Sequence, residues 1–192
     1  MDILSEKISH GFDLLDADGD GALTEADHVT MGDRAADQLG YGRGSDEHAR
    51  MVDAYVAIWR DLHAPHVGGP DGRLTKGEFV TSTLTLAADP DAAATTVGAL
   101  ARSFFAIADA NADGVVSKPE FDAFQRSHFP AIAQADLDEA FSHLDRDGDG
   151  CLDPVEFETA VVEYWSSVDP TAPGNWWMGR PGGRASVAPS GG

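Results

Sequence analysis

A chain of 192 residues with 42% apolar side chains, four Trp and nine Phe can build one or two domains with real cores, which argues against disorder. Its 33 acidic residues against 13 basic ones, a net charge of −20, argue against nucleic acid or an anionic membrane as a direct partner, because phosphate binding needs clustered cations. Cations are the natural ligands of such a chain.

Residues 1–15 begin with an acid at Asp2 and carry no apolar run of signal-peptide length. Nothing approaches the roughly eighteen apolar residues of a membrane span. The single Cys151 has no intramolecular disulfide partner. A soluble, reducing compartment is expected, most simply the cytoplasm.

In chain order, the first predicted helix carries Leu4, Ile8, Phe12 and Leu15 at helical spacing and leads into DADGDGALTEAD, residues 16–27. The segment MGDRAADQLGYGRGSDEH follows at 31–48. The next predicted helix opens after Ser45 as N-cap and carries Met51, Val52, Tyr55, Trp59 and Leu62. It leads to VGGPDGRLTKGE, residues 67–78, with Phe79 and Leu84 beginning the exit helix. Asp89-Pro90-Asp91 then breaks the chain tightly. Val97, Leu100, Phe104 and Ile107 precede DANADGVVSKPE at 109–120, and Phe121 and Phe124 follow it. Leu137, Phe141 and Leu144 precede DRDGDGCLDPVE at 145–156, and Phe157, Val161, Tyr164 and Trp165 follow. Pro119 and Pro154 sit at or beside the first turn of their exit helices, where a missing amide donor costs little.

Three of the four loops share one pattern: Asp or Asn at positions 1, 3 and 5, Gly at 6, an aliphatic at 8, an oxygen-bearing side chain at 9 and a carboxylate at 12. This is the EF-hand spacing. A hard cation that takes six to eight oxygens needs carboxylates converging from a sharply turning chain, and Gly at position 6 supplies that turn. The candidate ligands are therefore Asp16, Asp18, Asp20, Ala22 through its carbonyl, Thr24 and Asp27; then Asp109, Asn111, Asp113, Val115 through its carbonyl, Ser117 and Glu120; then Asp145, Asp147, Asp149, Cys151 through its carbonyl, Asp153 and Glu156. Asp27 is one methylene shorter than the usual Glu. Either the site tightens toward magnesium, or the backbone shifts and calcium still binds. The loop at 67–78 keeps Gly72, Leu74 and Glu78 but offers Val67 and Gly69 where ligands belong, so it is expected to pair structurally, Leu74 against Leu23, without binding strongly.

The expected fold is all-α, an EF-hand fold in which two paired hands pack into a compact globule with short two-stranded loop pairings. Residues 1–88 form the first pair with a degenerate second hand, 89–170 the second pair, and 171–192 a partly disordered tail whose disorder begins at Gly179. Loop starts at 16, 67, 109 and 145 put 51 residues between loop starts in the first pair and 36 in the second. Complete ligand sets and the closer spacing predict the second pair to be the tighter. This arrangement resembles the sarcoplasmic calcium-binding proteins and, more closely, their small bacterial relatives of the calerythrin type, over about residues 1–178. The degenerate second hand, the enlarged first half and the ending DPTAPGNWWMG carry the likeness. It implies two pairs packed face to face and a cytosolic buffering or transport role for calcium.

No catalytic constellation competes with this reading. The close histidines His63 and His66 flank Pro65 without a third metal ligand and read as surface loop residues, and the acids are claimed by the loops. The expectation is a monomeric, non-enzymatic calcium buffer with about three Ca2+ sites, Mg2+ being possible at the first. The alternative is a calcium sensor with a protein target. Met1, Met31, Met51 and Met178 form no helical stripe of the kind a sensor groove uses, which favours the buffer. Trp176 and Trp177 would be a costly exposed patch. They are expected to fold back and cover apolar surface left by the widened first half.

Overall fold

The structure is a computed structural model that describes residues 2–179; residues 180–192, most of the stretch expected to be disordered, lie outside the described residues. Eight α-helices among the described residues form four helix–loop–helix units: α1 Ile3–Leu15 with α2 Glu25–Gln38, α3 Asp46–Ile58 with α4 Lys76–Ala87, α5 Pro90–Ala108 with α6 Lys118–His128, and α7 Gln134–Leu144 with α8 Pro154–Ser166. Each loop adds two extended residues. β1 Ala22–Leu23 pairs antiparallel with β2 Leu74–Thr75, and β3 Val116–Ser117 with β4 Cys151–Leu152. Leu23 faces Leu74 in register, as the retained half of the degenerate loop predicts.

Local chemistry fixes the helix ends. Ser45 caps α3 by accepting from the His48 amide at 3.1 Å. Asp89 caps α5 by accepting from the Asp91 and Ala92 amides, and Pro90 fills the first helical position, where no amide is needed. The long segment between the first two loops lengthens α2 only slightly, to 14 residues against 11 in α6, and most of it lies in residues 39–45 and in the longer run from Asp46 to His66.

The regular period of α3 stops at Ile58 rather than running through Leu62. Residues Trp59–His63 form a wider π turn, closed by the Ala64 amide on the Trp59 carbonyl, and Pro65 prevents further regular helix. The wider turn carries Trp59 and His63 inward together, so His63 is 8% exposed; His66, beyond it, is exposed. The reading of His63 as a surface residue is thereby corrected.

One core runs through both hand pairs. Phe12, Phe79 and Trp165 meet edge to face at ring-centroid distances of 5.6 and 5.9 Å, linking α1, α4 and α8. After α8 the chain makes a short 3-10 turn, Pro173–Trp176, and lays Trp177 into the protein at 2% exposure. The fold-back predicted for this segment occurs, but on a different surface. Trp177 packs on Phe121, Phe124 and Phe157 of the second pair at 6.2, 5.9 and 4.8 Å, and Trp176 stacks on His143 at 4.2 Å. Helices α7 and α8 flank the segment, whereas α1 meets it at its edge through Lys7, whose ammonium donates to Asn175 Oδ1 and to the carbonyls of Glu163 and Ser167 at 2.7–2.9 Å. Among the described residues no helix is long and apolar enough to cross a membrane.

Candidate metal centres

In the first loop the acids are turned inward by the loop's own amides. Asp16 accepts from Gly19, Asp20 and Gly21 at 2.8–3.1 Å, Asp18 from Asp20, and Asp20 from Ala22. The chain can wrap this tightly because Gly19 and Gly21 take φ of +73° and +87°, where a Cβ is disfavoured. Ligand-atom positions of Asp16, Asp18 and Asp27 fall within 4.8 Å of one another. Asp27 reaches the Ala17 amide at 3.0 Å and the Thr24 amide at 2.8 Å. Its short side chain is therefore met by a drawn-in loop.

The fourth loop repeats the design with a full-length closing residue. Asp145 accepts from Gly148, Asp149 and Gly150, and Glu156 from the Arg146 amide at 2.8 Å and the Asp153 amide at 3.1 Å. Asp145, Asp147 and Glu156 converge within 4.8 Å. The Cys151 thiol donates to Asp149, and that bond pushes its pKa up to about 11, so it stays a thiol. Its carbonyl is the group the loop pattern uses.

The third loop repeats the amide pattern with an amide side chain in place of one acid, but its acids do not converge as those of the first and fourth loops do. Asp109 accepts from Asp113 and Gly114, Asn111 Oδ1 from Asp113 at 2.8 Å, and Glu120 from Asn111 and Ser117. With Asn at position 3 there is one carboxylate fewer to repel its neighbours, and Asn111 Nδ2 donates to Asp113 at 3.0 Å. Position 4, glycine in the first and fourth loops, is Ala112 at φ +57°. It is the one described non-glycine residue with positive φ.

The second loop differs in backbone as well as in ligands. Its position 4 is Pro70, whose ring holds φ near −65° and forbids the left-handed step the other three loops make there. Glu78 still closes the loop as Asp27 and Glu156 close theirs: it accepts from the Thr75 amide and hydroxyl at 2.9 and 2.7 Å and from the Gly68 amide. Arg73 crosses to the first loop and donates to Asp20 at 2.8 Å.

Among the described residues, acids of the first and fourth loops converge into oxygen-only donor sets suited to a hard divalent cation, whereas those of the second and third do not come together within the same distance. Ala22 and Cys151 stand at position 7 in the strand before the exit helix and Val115 just ahead of its strand, while Thr24, Ser117 and Asp153 stand at position 9, next to the first residue of the exit helix. What sequence spacing does not reveal is the histidine set. His28, His63 and His128 are 1%, 8% and 5% exposed, and burial holds each below the ordinary histidine pKa.

Comparison with known proteins places the chain in a calcium-binding family. The EF hand family model matches residues 101–125 and 137–162. Calerythrin of Saccharopolyspora erythraea is 30% identical over 165 residues, 84% of this chain and 92% of the relative. A sarcoplasmic calcium-binding protein of Perinereis vancaurica tetradentata is 31% identical over 124 residues, 64% of this chain and 68% of the relative. The fold also matches the calcium-loaded apo form of a coelenterazine-binding protein from Renilla muelleri with a TM-score of 0.76 at 21% identity, covering 92% of this chain and 94% of that one. The chain belongs to the calerythrin and sarcoplasmic calcium-binding protein family of EF-hand calcium-binding proteins.

Proposed function

We propose that this protein is a cytoplasmic, monomeric calcium buffer or carrier without enzymatic activity, holding three cations in the loops at 16–27, 109–120 and 145–156. Each hand pair, residues 1–88 and 89–170, acts as a unit, and the second is the tighter. The observation that carries the buffer reading is the burial of Trp177 against Phe121, Phe124 and Phe157. In a sensor, an apolar face must open to a target on metal binding; here the chain's own tail covers that face. Gly174 is part of the fit: a Cβ there would stand 2.4 Å from Glu163 Cβ and 2.6 Å from the Ala160 carbonyl.

The first site is the one we assign a leaning toward magnesium, because a ring drawn in around the short Asp27 suits the smaller ion. Calorimetric titration with calcium, with and without millimolar magnesium, is expected to give three calcium sites, and Glu78→Gln to leave that number unchanged. A fourth strong site lost on Glu78→Gln overturns the assignment. Buffer and sensor separate by hydrophobic-dye binding. The calcium-loaded chain should bind little dye, deletion of 173–192 should raise binding, and deletion of 180–192 should leave it as it was. Equal behaviour of the two truncations, or dye binding that rises when calcium is added to the intact chain, favours the sensor.

A further inference from the structure

The fourth loop carries a long charged side chain at its second position, where the other loops hold Ala17, Gly68 and Ala110. The backbone of that residue serves the closing acid: the Ala17 amide donates to Asp27 at 3.0 Å in the first loop, and the Arg146 amide to Glu156 at 2.8 Å in the fourth. Arg146 also has a side chain that reaches out of the loop. Its Nη2 donates to Glu163 Oε1 at 2.7 Å. Glu156 and Glu163 lie two turns apart on one face of α8, so the two ends of Arg146 grip the same helix face, one on a metal ligand and one beyond it.

The second oxygen of Glu163 is taken by the tail. Oε2 accepts from the Gly174 amide at 2.8 Å, inside the turn that delivers Trp176 and Trp177. Gly174 fits closely against that side chain, since an added Cβ would stand 3.0 Å from Oε2 as well as 2.4 Å from Glu163 Cβ. One carboxylate therefore holds a loop arginine with one oxygen and a tail amide with the other. A second contact runs beside it: His143, two residues ahead of Asp145, stacks on Trp176 with the ring planes 13° apart. Covering the apolar face does not require either link. Trp177 packs on its three phenylalanines, its carbonyl accepts from Gln125, and Asn175 accepts from Lys7, all without touching a metal loop. A guanidinium left free beside a divalent-cation site would repel the ion and pair with its carboxylates, so holding Arg146 outside the loop matters to the site.

We propose that Glu163 is a positioning residue that couples the fourth metal site to the tail. With residues 173–178 docked, it keeps the Arg146 side chain away from the ligands and the Arg146 amide set for Glu156, so docking raises calcium affinity and calcium in turn fastens the tail. The proposal rests on the reading of 145–156 as a calcium site. The two effects are one coupling free energy and are equal in size. Glu163 is 24% and Arg146 42% exposed, which limits the coupling to about three- to fivefold. Loading this site then closes the apolar face more firmly instead of opening it.

The test uses the full chain with calcium as the probe. By NMR across a calcium-buffered series, the Gly150 amide, which donates to Asp145, reports the fourth loop, and the Gly21 amide, which donates to Asp16, reports the first. Gly174→Ala, which crowds Glu163, should weaken calcium binding at Gly150 about three- to fivefold and leave the Gly21 midpoint in place. In an Arg146→Ala background, where the loop carries the residue of the first and third, Gly174→Ala should weaken it no further. A second measurement leaves the tail unaltered: calcium should slow hydrogen exchange of the Gly174 amide about three- to fivefold more in the natural sequence than in Arg146→Ala. Equal loss from Gly174→Ala in both backgrounds, or equal slowing of Gly174 exchange in both, overturns the coupling and leaves the metal site standing. A Gly150 amide that does not respond to calcium overturns the metal reading, and this proposal with it.

Discussion

Arg73 Nη2 donates to Asp20 Oδ2 at 2.8 Å, so the loop that has lost its own ligands places a cation on an acid of the loop it pairs with. The other oxygen of Asp20 takes the Ala22 amide, and the arginine holds the Asp20 carboxyl below its usual range. A metal ion at the first site must share Asp20 with this guanidinium. Both side chains are 38% exposed, so solvent screens the pair and its effect is small. Arg73→Gln is expected to raise first-site calcium affinity by roughly two- to fivefold at low salt, with the gain shrinking as salt is added. Calorimetry that finds unchanged or weaker binding shows that the arginine does not compete.

Asp27 sets the size of the same site. It closes the loop on the Ala17 amide at 3.0 Å, the bond that Glu156 makes to Arg146 at 2.8 Å with one more methylene. Asp27→Glu should loosen the ring, strengthen calcium binding there and lower the preference for magnesium relative to calcium. A calcium-to-magnesium affinity ratio equal to that of the unaltered protein would mean that position 12 does not govern selectivity.

Ala112 sits at φ +57°, a conformation that costs an L residue with a Cβ about 1 kcal/mol or more relative to glycine. The first and fourth loops use Gly19 and Gly148 there. Ala112→Gly should raise the melting temperature of the calcium form and tighten the third site by up to about fivefold, less whatever entropy the glycine adds to the unfolded chain. Ala112→Val should do the reverse. Loss of stability on Ala112→Gly would show that the left-handed step is not strained.

His128 predicts an acid-side loss of stability. Burial lowers its folded pKa to about 4 from the ordinary 6.5, with His28 and Arg34 pushing the same way and the hydrogen bond to Phe124 opposing. The unfolded chain therefore binds the proton more readily, and stability falls as pH drops from 6.5 toward 4, by about 2 kcal/mol between pH 6.5 and 5 from this residue alone. About one unit above 6.5 the ring is essentially neutral in both states and contributes no pH dependence. The paired substitution His128→Leu with Tyr55→Phe, which leaves no hydroxyl stranded, should flatten that part of the melting-temperature profile. An unchanged slope between pH 6.5 and 5 assigns the acid sensitivity to other groups.

Much of this architecture was legible because ligand chemistry writes itself into spacing. Asp16, Asp109 and Asp145 head loops whose turn glycines and closing acids recur at fixed offsets, and the apolar residues before each loop repeat at helical period. The Leu23–Leu74 pairing followed from Gly72 and Glu78 alone. The buried histidines were not legible. His63 lies four residues beyond Trp59 in a stretch whose α-helical period pointed to Leu62, and only the π turn ahead of Pro65 brings it inside. The landing place of Trp177 was equally hidden, since its aromatic partners are 20 to 56 positions earlier in the chain and no local pattern links them. Pro70 was visible as an irregularity, but its meaning depends on the left-handed step at position 4, a property of backbone angles.

The ammonium of Lys7 ties α1 to residues 156 to 168 positions downstream. Burial also lowers its pKa to about 8. During synthesis α1 is made well before its acceptors, and it cannot meet all three until Asn175 has emerged from the ribosome. Phe12 can meet Phe79 of α4 earlier, but the face of α1 that carries Lys7 waits. Such distant closures slow folding, because loop entropy must be lost before the contact forms. The second hand pair can assemble from contacts within its own stretch, whereas the part of the first that faces the tail is completed last. The order of translation and the order of completion are thus opposed, and the newly made chain carries one face of α1 open to chaperones or to neighbouring chains until residues 163–175 arrive.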